Sequence, residues 1–222
     1  MDLGLRDKVA VITGGSVGIG LAIAQGLAAE GAHPVLCARD EARAAEEAGK
    51  IGDVHGVRSI AVGADVGRAA DVERIVRRVE EVFGGCDILV NNAGTGSNET
   101  IMEAPDEKWQ HYWDLHVMAA VRLARGLAPM MKRRGGGVIL NNASICATQP
   151  LWYEPIYNVT KAALVMLSKN LANELIPFNI RVNAVNPGLV LTPDWIKTAK
   201  QLTEGKDQTW EGYLDGVARE YA

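Results

Sequence analysis

The chain has 222 residues, 48% of them hydrophobic, enough to bury one large core or two small ones. A formal net charge of -4 argues against a nucleic-acid partner, because phosphate binding needs a concentrated basic face. The longest apolar runs, such as VAVIT and DILV, are of strand length and too short to cross a bilayer. The start MDLGLRDK lacks the apolar core of a signal peptide, so a cytoplasmic protein is expected.

Short Val- and Ile-rich runs alternate with longer amphipathic segments. Strands are expected at 8–13, 33–38, 58–64, 87–93, 137–143 and 180–186, and helices at 18–30, 40–51, 68–83, 106–133 and 155–176. Strands that take turns with helices predict βαβ units. Right-handed crossovers then wind them into an α/β, doubly wound parallel sheet with helices on both faces. No repeat or low-complexity linker interrupts this pattern before residue 187, so a single domain over 1–222 is expected. Beyond 187 the character changes: Trp195, Trp210 and Tyr213 stand among polar residues, and no strand closes the sheet before Ala222. The basic cluster Lys132-Arg133-Arg134, followed by glycines, reads as a solvated helix end. Cys37, Cys86 and Cys146 are odd in number and widely spaced, which suits free thiols better than disulfides or a zinc site. His33, His55, His111 and His116 show no metal-ligand spacing.

Gly14, Gly18 and Gly20 lie between the first strand and the first helix. Glycines there would serve a tight turn in any protein. Here they also open a helix whose free N–H groups and positive dipole end can hold a pyrophosphate. Their spacing, T-G-x-x-x-G-x-G, resembles that of the short-chain dehydrogenase/reductase family. Further matches follow in order: Asp65-Val66, NNAG (91–94), Ser144, YNVTK (157–161) and PGLVLT (187–192), so the resemblance covers nearly the whole chain.

The resemblance implies a Rossmann-type fold and an NAD(P)-dependent oxidoreductase acting on a small-molecule alcohol or carbonyl. It implies that Gly14, Ser16 and Ile19 line the phosphates, within a cofactor loop that includes Gly18 and Gly20. Asp65 and Val66 would meet the adenine, and Asn92, Ala93 and Gly94 the adenosine side. Pro187, Gly188, Val190 and Thr192 would meet the nicotinamide and its neighbouring phosphate. Taken alone, Asp65 reads as a strand-end cap. An acid at the end of the second strand would select NAD through the ribose 2′-OH; the place reads Ala38-Arg39, and a guanidinium suits a 2′-phosphate. NADP is therefore expected ahead of NAD, although Val17 offers no second basic group and Asp40 follows at once.

Tyr157 and Lys161 stand four apart and so share one face of a helix. A tyrosine titrates near ~10 and needs a nearby ammonium to work as an acid/base at neutral pH. By resemblance Tyr157 is that acid/base, Lys161 tunes it and holds the nicotinamide ribose, and Ser144 anchors the substrate oxygen. Trp152 and Tyr153 are expected as pocket walls, Cys146 as a small buried hydrophobe, and the segment around 189–222 as a substrate lid.

Two departures from the family pattern stand out. His116 occupies the place, seven residues after Trp109, where relatives carry an Asn that orders a relay water. On local grounds His116 is a core histidine; the ordered motifs favour a relay role, with titration near neutrality adding pH dependence. The other departure is that relatives continue through a further helix and strand, leaving either a shorter protein with an open sheet edge or a sequence that omits the segment. The family implies a homo-oligomer, tetramer or dimer, joined through the 106–133 and 155–176 helices. A 3-oxoacyl-carrier-protein reductase and a cofactor-binding regulatory protein without turnover remain as alternatives.

Overall fold

A computed structural model describes residues 1–221; Ala222, the end of the expected lid, lies outside the described residues. Six strands run in chain order, β1 Val9–Thr13, β2 His33–Ala38, β3 Ile60–Gly63, β4 Ile88–Asn91, β5 Gly137–Asn142 and β6 Ile180–Val185. They form one parallel sheet in the order β3-β2-β1-β4-β5-β6. The helices are α1 Gly18–Ala29, α2 Glu41–His55, α3 Ala69–Phe83, α4 Asp106–Trp113, α5 Ala119–Arg133 and α6 Pro155–Leu175.

The period of two along each strand sends alternate residues to opposite faces. Ala10 and Ile12 of β1 pack with Leu36 and Val90 under Ala24 and Ala28 of α1 and Ala44, Ala48 and Ile51 of α2. Val9 and Val11 face the other way, into a larger cluster with Ile75 and Val79 of α3, Leu123 and Leu127 of α5, and Leu175 of α6. Both faces are thus covered, as continuous apolar strands require. The strand order reverses beside β1, so the carboxyl ends of β1 and β4 border the crevice where such sheets bind ligands. No strand follows β6 among the described residues, and β6 pairs only with β5.

The expected helix over 106–133 is broken. Residues Asp114–Met118 form a π turn between α4 and α5, and His116 sits in it. Such turns add one residue to the helical ladder and are frequent at functional sites.

Contacts divide the chain into Met1–Asn186 and a smaller unit from Pro187. The smaller unit holds two helices, α7 Pro193–Thr203 and α8 Trp210–Tyr221. Thr192 starts α7: its hydroxyl accepts from the Trp195 N–H at 3.3 Å, and Pro193 takes the first turn, where no N–H is needed. Trp195, Trp210, Leu189, Leu191 and Leu214 line an apolar groove within this unit, with Glu211 and Asp215 at it.

Candidate active site

The loop after β1 is shaped by the absence of side chains. Gly14 has φ +64°, and a β-carbon there would lie 2.9 Å from the Asn92 amide nitrogen. A β-carbon on Gly20 would run into the Gly14 carbonyl oxygen. Glycine at these positions lets the start of α1 close onto the strand ends. Val17 precedes α1 with extended backbone and no side-chain cap, so the first N–H groups and the positive end of the helix dipole are left for a ligand. Ser16 is buried, Ile19 half-buried, and Gly18 has φ +56°. This cradle fits a pyrophosphate.

A line of hydrogen bonds runs from this loop into the site. Thr13 Oγ1 accepts from the N–H groups of Asn92 and Ala93, each at 2.9 Å. The Asn92 amide donates to the Thr13 carbonyl at 2.9 Å, and its Oδ1 accepts from Asn142 Nδ2 at 2.8 Å. The Asn142 carbonyl in turn accepts from Lys161 Nζ at 2.8 Å. The Asn92 side chain is therefore engaged by the protein itself, and Asn142, absent from the expectations, holds the lysine. Its signal was present: NNA occurs at 91–93 and again at 141–143, and Asn91 and Asn141 are in register on adjacent strands.

Arg39 is exposed just past β2. Asp40, which had weighed against NADP, caps α2 by accepting from the Arg43 N–H at 3.0 Å. Its carboxylate serves the helix, and Arg39 beside it is exposed. Asp65 Oδ1 accepts from the Gly67 N–H at 3.0 Å, which is the turn-capping behaviour expected of it alone. The Val66 side chain belongs to the core, so a ligand would meet Val66 through its backbone.

Ser144 follows β5 in extended backbone, buried, and its hydroxyl accepts from the Cys146 N–H at 3.2 Å. Cys146 is buried, as expected. Pro155 opens α6, which carries Tyr157 and Lys161 one turn apart. Lys161 is only 3% exposed, and its Nζ lies 5.3 Å from the centre of the Tyr157 ring. Burial pushes the Lys161 ammonium down to about 8.

His116 completes the cluster. Its ring meets that of Tyr157 edge-on, 5.5 Å between centres, and its Nδ1 lies 2.8 Å from Thr160 Oγ1. Its Nε2 is buried with no hydrogen-bond partner among the described residues. A β-carbon on Gly94 would be 3.0 Å from that Nε2 and 3.5 Å from Lys161 Nζ, so glycine is what lets the imidazole and the ammonium approach one strip of backbone. Titration of His116 near neutrality does not survive this setting. Burial first, and then the Lys161 charge, hold it well below its ordinary value, so the imidazole is neutral at physiological pH. The π turn beneath is fastened by Asp114, which accepts from Arg122 at 2.7 Å and Gln110 at 2.9 Å. Arg122 also donates to the Gly67 carbonyl at 2.9 Å, tying the Asp65-Val66 loop to the turn that carries His116.

Of the remaining positions, Trp152 is exposed, and Pro187, Gly188, Val190 and Thr192 all belong to the smaller unit. Among the described residues no group of histidine, cysteine and carboxylate side chains is arranged to hold a metal. No helix among them is long and apolar enough to cross a membrane. A phenol beside a buried ammonium, with a strand-end hydroxyl and a neutral imidazole on neighbouring elements, is equipped to exchange a proton with a bound oxygen.

The sequence signature of the family described as short chain dehydrogenase matches residues 8–203. Dehydrogenase/reductase SDR family member 4 of Oryctolagus cuniculus is 39% identical over 205 residues, which are 92% of this chain and 77% of that protein. Among solved structures, L-sorbose reductase from Gluconobacter frateurii, complexed with NADPH and L-sorbose, is 65% identical with a TM-score of 0.96, covering 99% of this chain and 84% of that one. The 3-ketoacyl-(acyl-carrier-protein) reductase of Brucella melitensis, complexed with NADH, is 36% identical with a TM-score of 0.80, covering 96% of this chain and 90% of that one. With its sheet order, glycine loop and Tyr157–Lys161 helix, the chain belongs to the short-chain dehydrogenase/reductase family and is an NAD(P)-dependent oxidoreductase of alcohols and ketones.

Proposed function

We propose that the protein is an NADPH-preferring ketose reductase that interconverts a ketose such as L-sorbose with the corresponding polyol. The observation that carries this reading is the 65% identity, over 99% of the chain, to an L-sorbose reductase complexed with NADPH and L-sorbose. The free guanidinium of Arg39, with Asp40 committed to its helix, supports a grip on the 2′-phosphate.

The cofactor loop Gly14, Ser16, Gly18, Ile19 and Gly20 takes the pyrophosphate, Asp65 and Val66 the adenine, and Asn92, Ala93 and Gly94 the adenosine side. Pro187, Gly188, Val190 and Thr192 take the nicotinamide end, and the segment around 189–222 serves as a substrate lid. When bound, the nicotinamide supplies the hydride. The protein's own residues do the rest. Ser144 donates a hydrogen bond to the substrate oxygen, and Tyr157 delivers the proton that oxygen takes up. The positive charge of Lys161 favours the phenolate and so lowers the cost of that transfer. Neutral His116, beside Lys161, serves the relay that links the lysine to solvent.

The carrier-protein reading is weaker because Arg133 pairs with Glu80 at 2.6 Å and Arg134 with Asp87, so both arginines of that helix end are already engaged by carboxylates. We further propose a cytoplasmic homo-oligomer, tetramer or dimer, joined through α4, α5 and α6, where Trp113, Val159 and Met166 are exposed. The test is a panel of ketoses, polyols and simple ketones assayed with NADPH and NADH. Fast NADPH oxidation with L-sorbose, and a preference for NADPH that collapses in Arg39→Asp, are the expected results. A simple ketone outrunning every ketose would overturn the substrate reading.

A further inference from the structure

His116 and Thr160 are brought together from distant parts of the chain, the π turn and α6, and both are almost without solvent, at 3% and 0% exposure. Their bond, Nδ1 to Oγ1 at 2.8 Å, is short and well formed. Thr160 Oγ1 also lies 3.0 Å from the Tyr157 carbonyl oxygen, one turn back on α6, and donates to it. A hydroxyl has one proton. If that proton goes to the Tyr157 carbonyl, the oxygen must accept from His116, and Nδ1 carries the hydrogen.

The opposite arrangement is worse on two counts. Thr160 would donate to a bare Nδ1, and the hydrogen would move to Nε2. That nitrogen is buried without a partner and shares its surroundings at Gly94 with the Lys161 ammonium. An unpaired N–H facing a cation pays both for desolvation and for like charge. A lone pair on Nε2 faces the same cation favourably.

We propose that Thr160 is a positioning residue that selects the Nδ1–H tautomer of His116, so that Nε2 is presented as a proton acceptor toward Lys161. This deepens the relay role given to His116 above and rests on it. Thr160 is fully buried, and it acts through the imidazole. The histidine substitution at this position therefore works together with a hydroxyl at the residue before the lysine, a pairing that neither position shows by itself.

The test is long-range ¹H–¹⁵N correlation spectroscopy on protein labelled at histidine ring nitrogens, with His116 identified by the signals that His116→Asn removes. In the wild-type protein at pH 7.5, Nε2 should be the unprotonated nitrogen. A bare Nδ1 would overturn the proposal outright, without recourse to any variant. Thr160→Val should disturb the pattern and lower kcat roughly tenfold or more with KM little changed, as expected when an imidazole is held in the wrong tautomer. Thr160→Ser, which keeps the hydroxyl, should restore both. An unchanged pattern in Thr160→Val would remove Thr160 as the selector. If the tautomer behaves as stated but Thr160→Val and His116→Ala both turn over normally, the relay reading fails while the tautomer assignment stands.

Discussion

The two ends of the hydrogen-bonded line from Thr13 to Lys161 are built in opposite ways. At the Gly14–Gly20 end the protein makes room: side chains are withheld, backbone N–H groups are exposed, and the polar side chain that approaches, Asn92, is fully employed. At the Lys161 end the protein fills the room with ionisable side chains. Lys161 and His116 are each 3% exposed, and His116 Nε2 and Asn142 Oδ1 are buried without partners among the described residues. The first end is made to receive charge and the second to hold it against desolvation. Substitutions should therefore injure them differently: binding and packing at one, chemistry and titration at the other.

The largest effect is expected from Tyr157→Phe. Loss of the proton donor should lower kcat by about 10²–10⁴-fold, the usual worth of a positioned acid/base. NADPH affinity, measured by nicotinamide fluorescence titration, should stay within a factor of about three, because the glycine cradle is untouched. Strong loss of affinity would mean that the two ends are not separable in this way.

Gly20→Ala tests the other end. The added carbon collides with the Gly14 carbonyl and the Asn92 amide, so α1 or the loop must shift. Overpacking of this kind typically costs about 1–3 kcal/mol, to be read from urea denaturation. NADPH should bind at least about tenfold more weakly, while any turnover that remains at saturating cofactor should keep its pH profile. A normal affinity would show that the cradle tolerates a side chain and that the motif has another cause.

The same contrast explains what could be read in advance. The glycine loop is legible because a missing β-carbon is a property of the sequence itself, and Tyr157–Lys161 because a spacing of four fixes a shared face. The strands were legible from Val- and Ile-rich runs, with ends misplaced by a residue or two where DILVNNA and GVILNNA continue past the last ladder bond. The break in the 106–133 helix was not legible. A π turn adds a residue without changing composition, and apolar periodicity runs on across it. Thr192-Pro193 is a helix-start signal at the head of α7, inside the segment expected as a substrate lid. Least legible was protonation. His116 was expected to titrate near neutrality, and only the burial and the nearby Lys161 charge reveal that it does not.

That point yields the last and smallest prediction, on stability against pH in the cofactor-free protein. Both Lys161 and His116 have folded-state values below their unfolded ones, so for each the unfolded chain binds the proton more tightly. The part of the stability that these two groups set must then rise with pH wherever the two states differ in their protonation, by up to about 1.4 kcal/mol per pH unit for one proton. For Lys161 the difference lies between about 8 and the ordinary value of 10.5; below that window the buried charge exerts its full cost. For His116 it lies below the ordinary value of 6.5, where the unfolded chain takes up a proton that the folded one refuses. Urea denaturation across pH 5–9 separates the two, below the range where the buried thiols Cys37 and Cys86, pushed up to about 12, oppose the rise. Lys161→Met should flatten the alkaline rise and stabilise the protein near neutrality, and His116→Asn should flatten only the acidic one. An alkaline slope that survives Lys161→Met would mean that the lysine is not held in the desolvated state from which its tuning of Tyr157 follows.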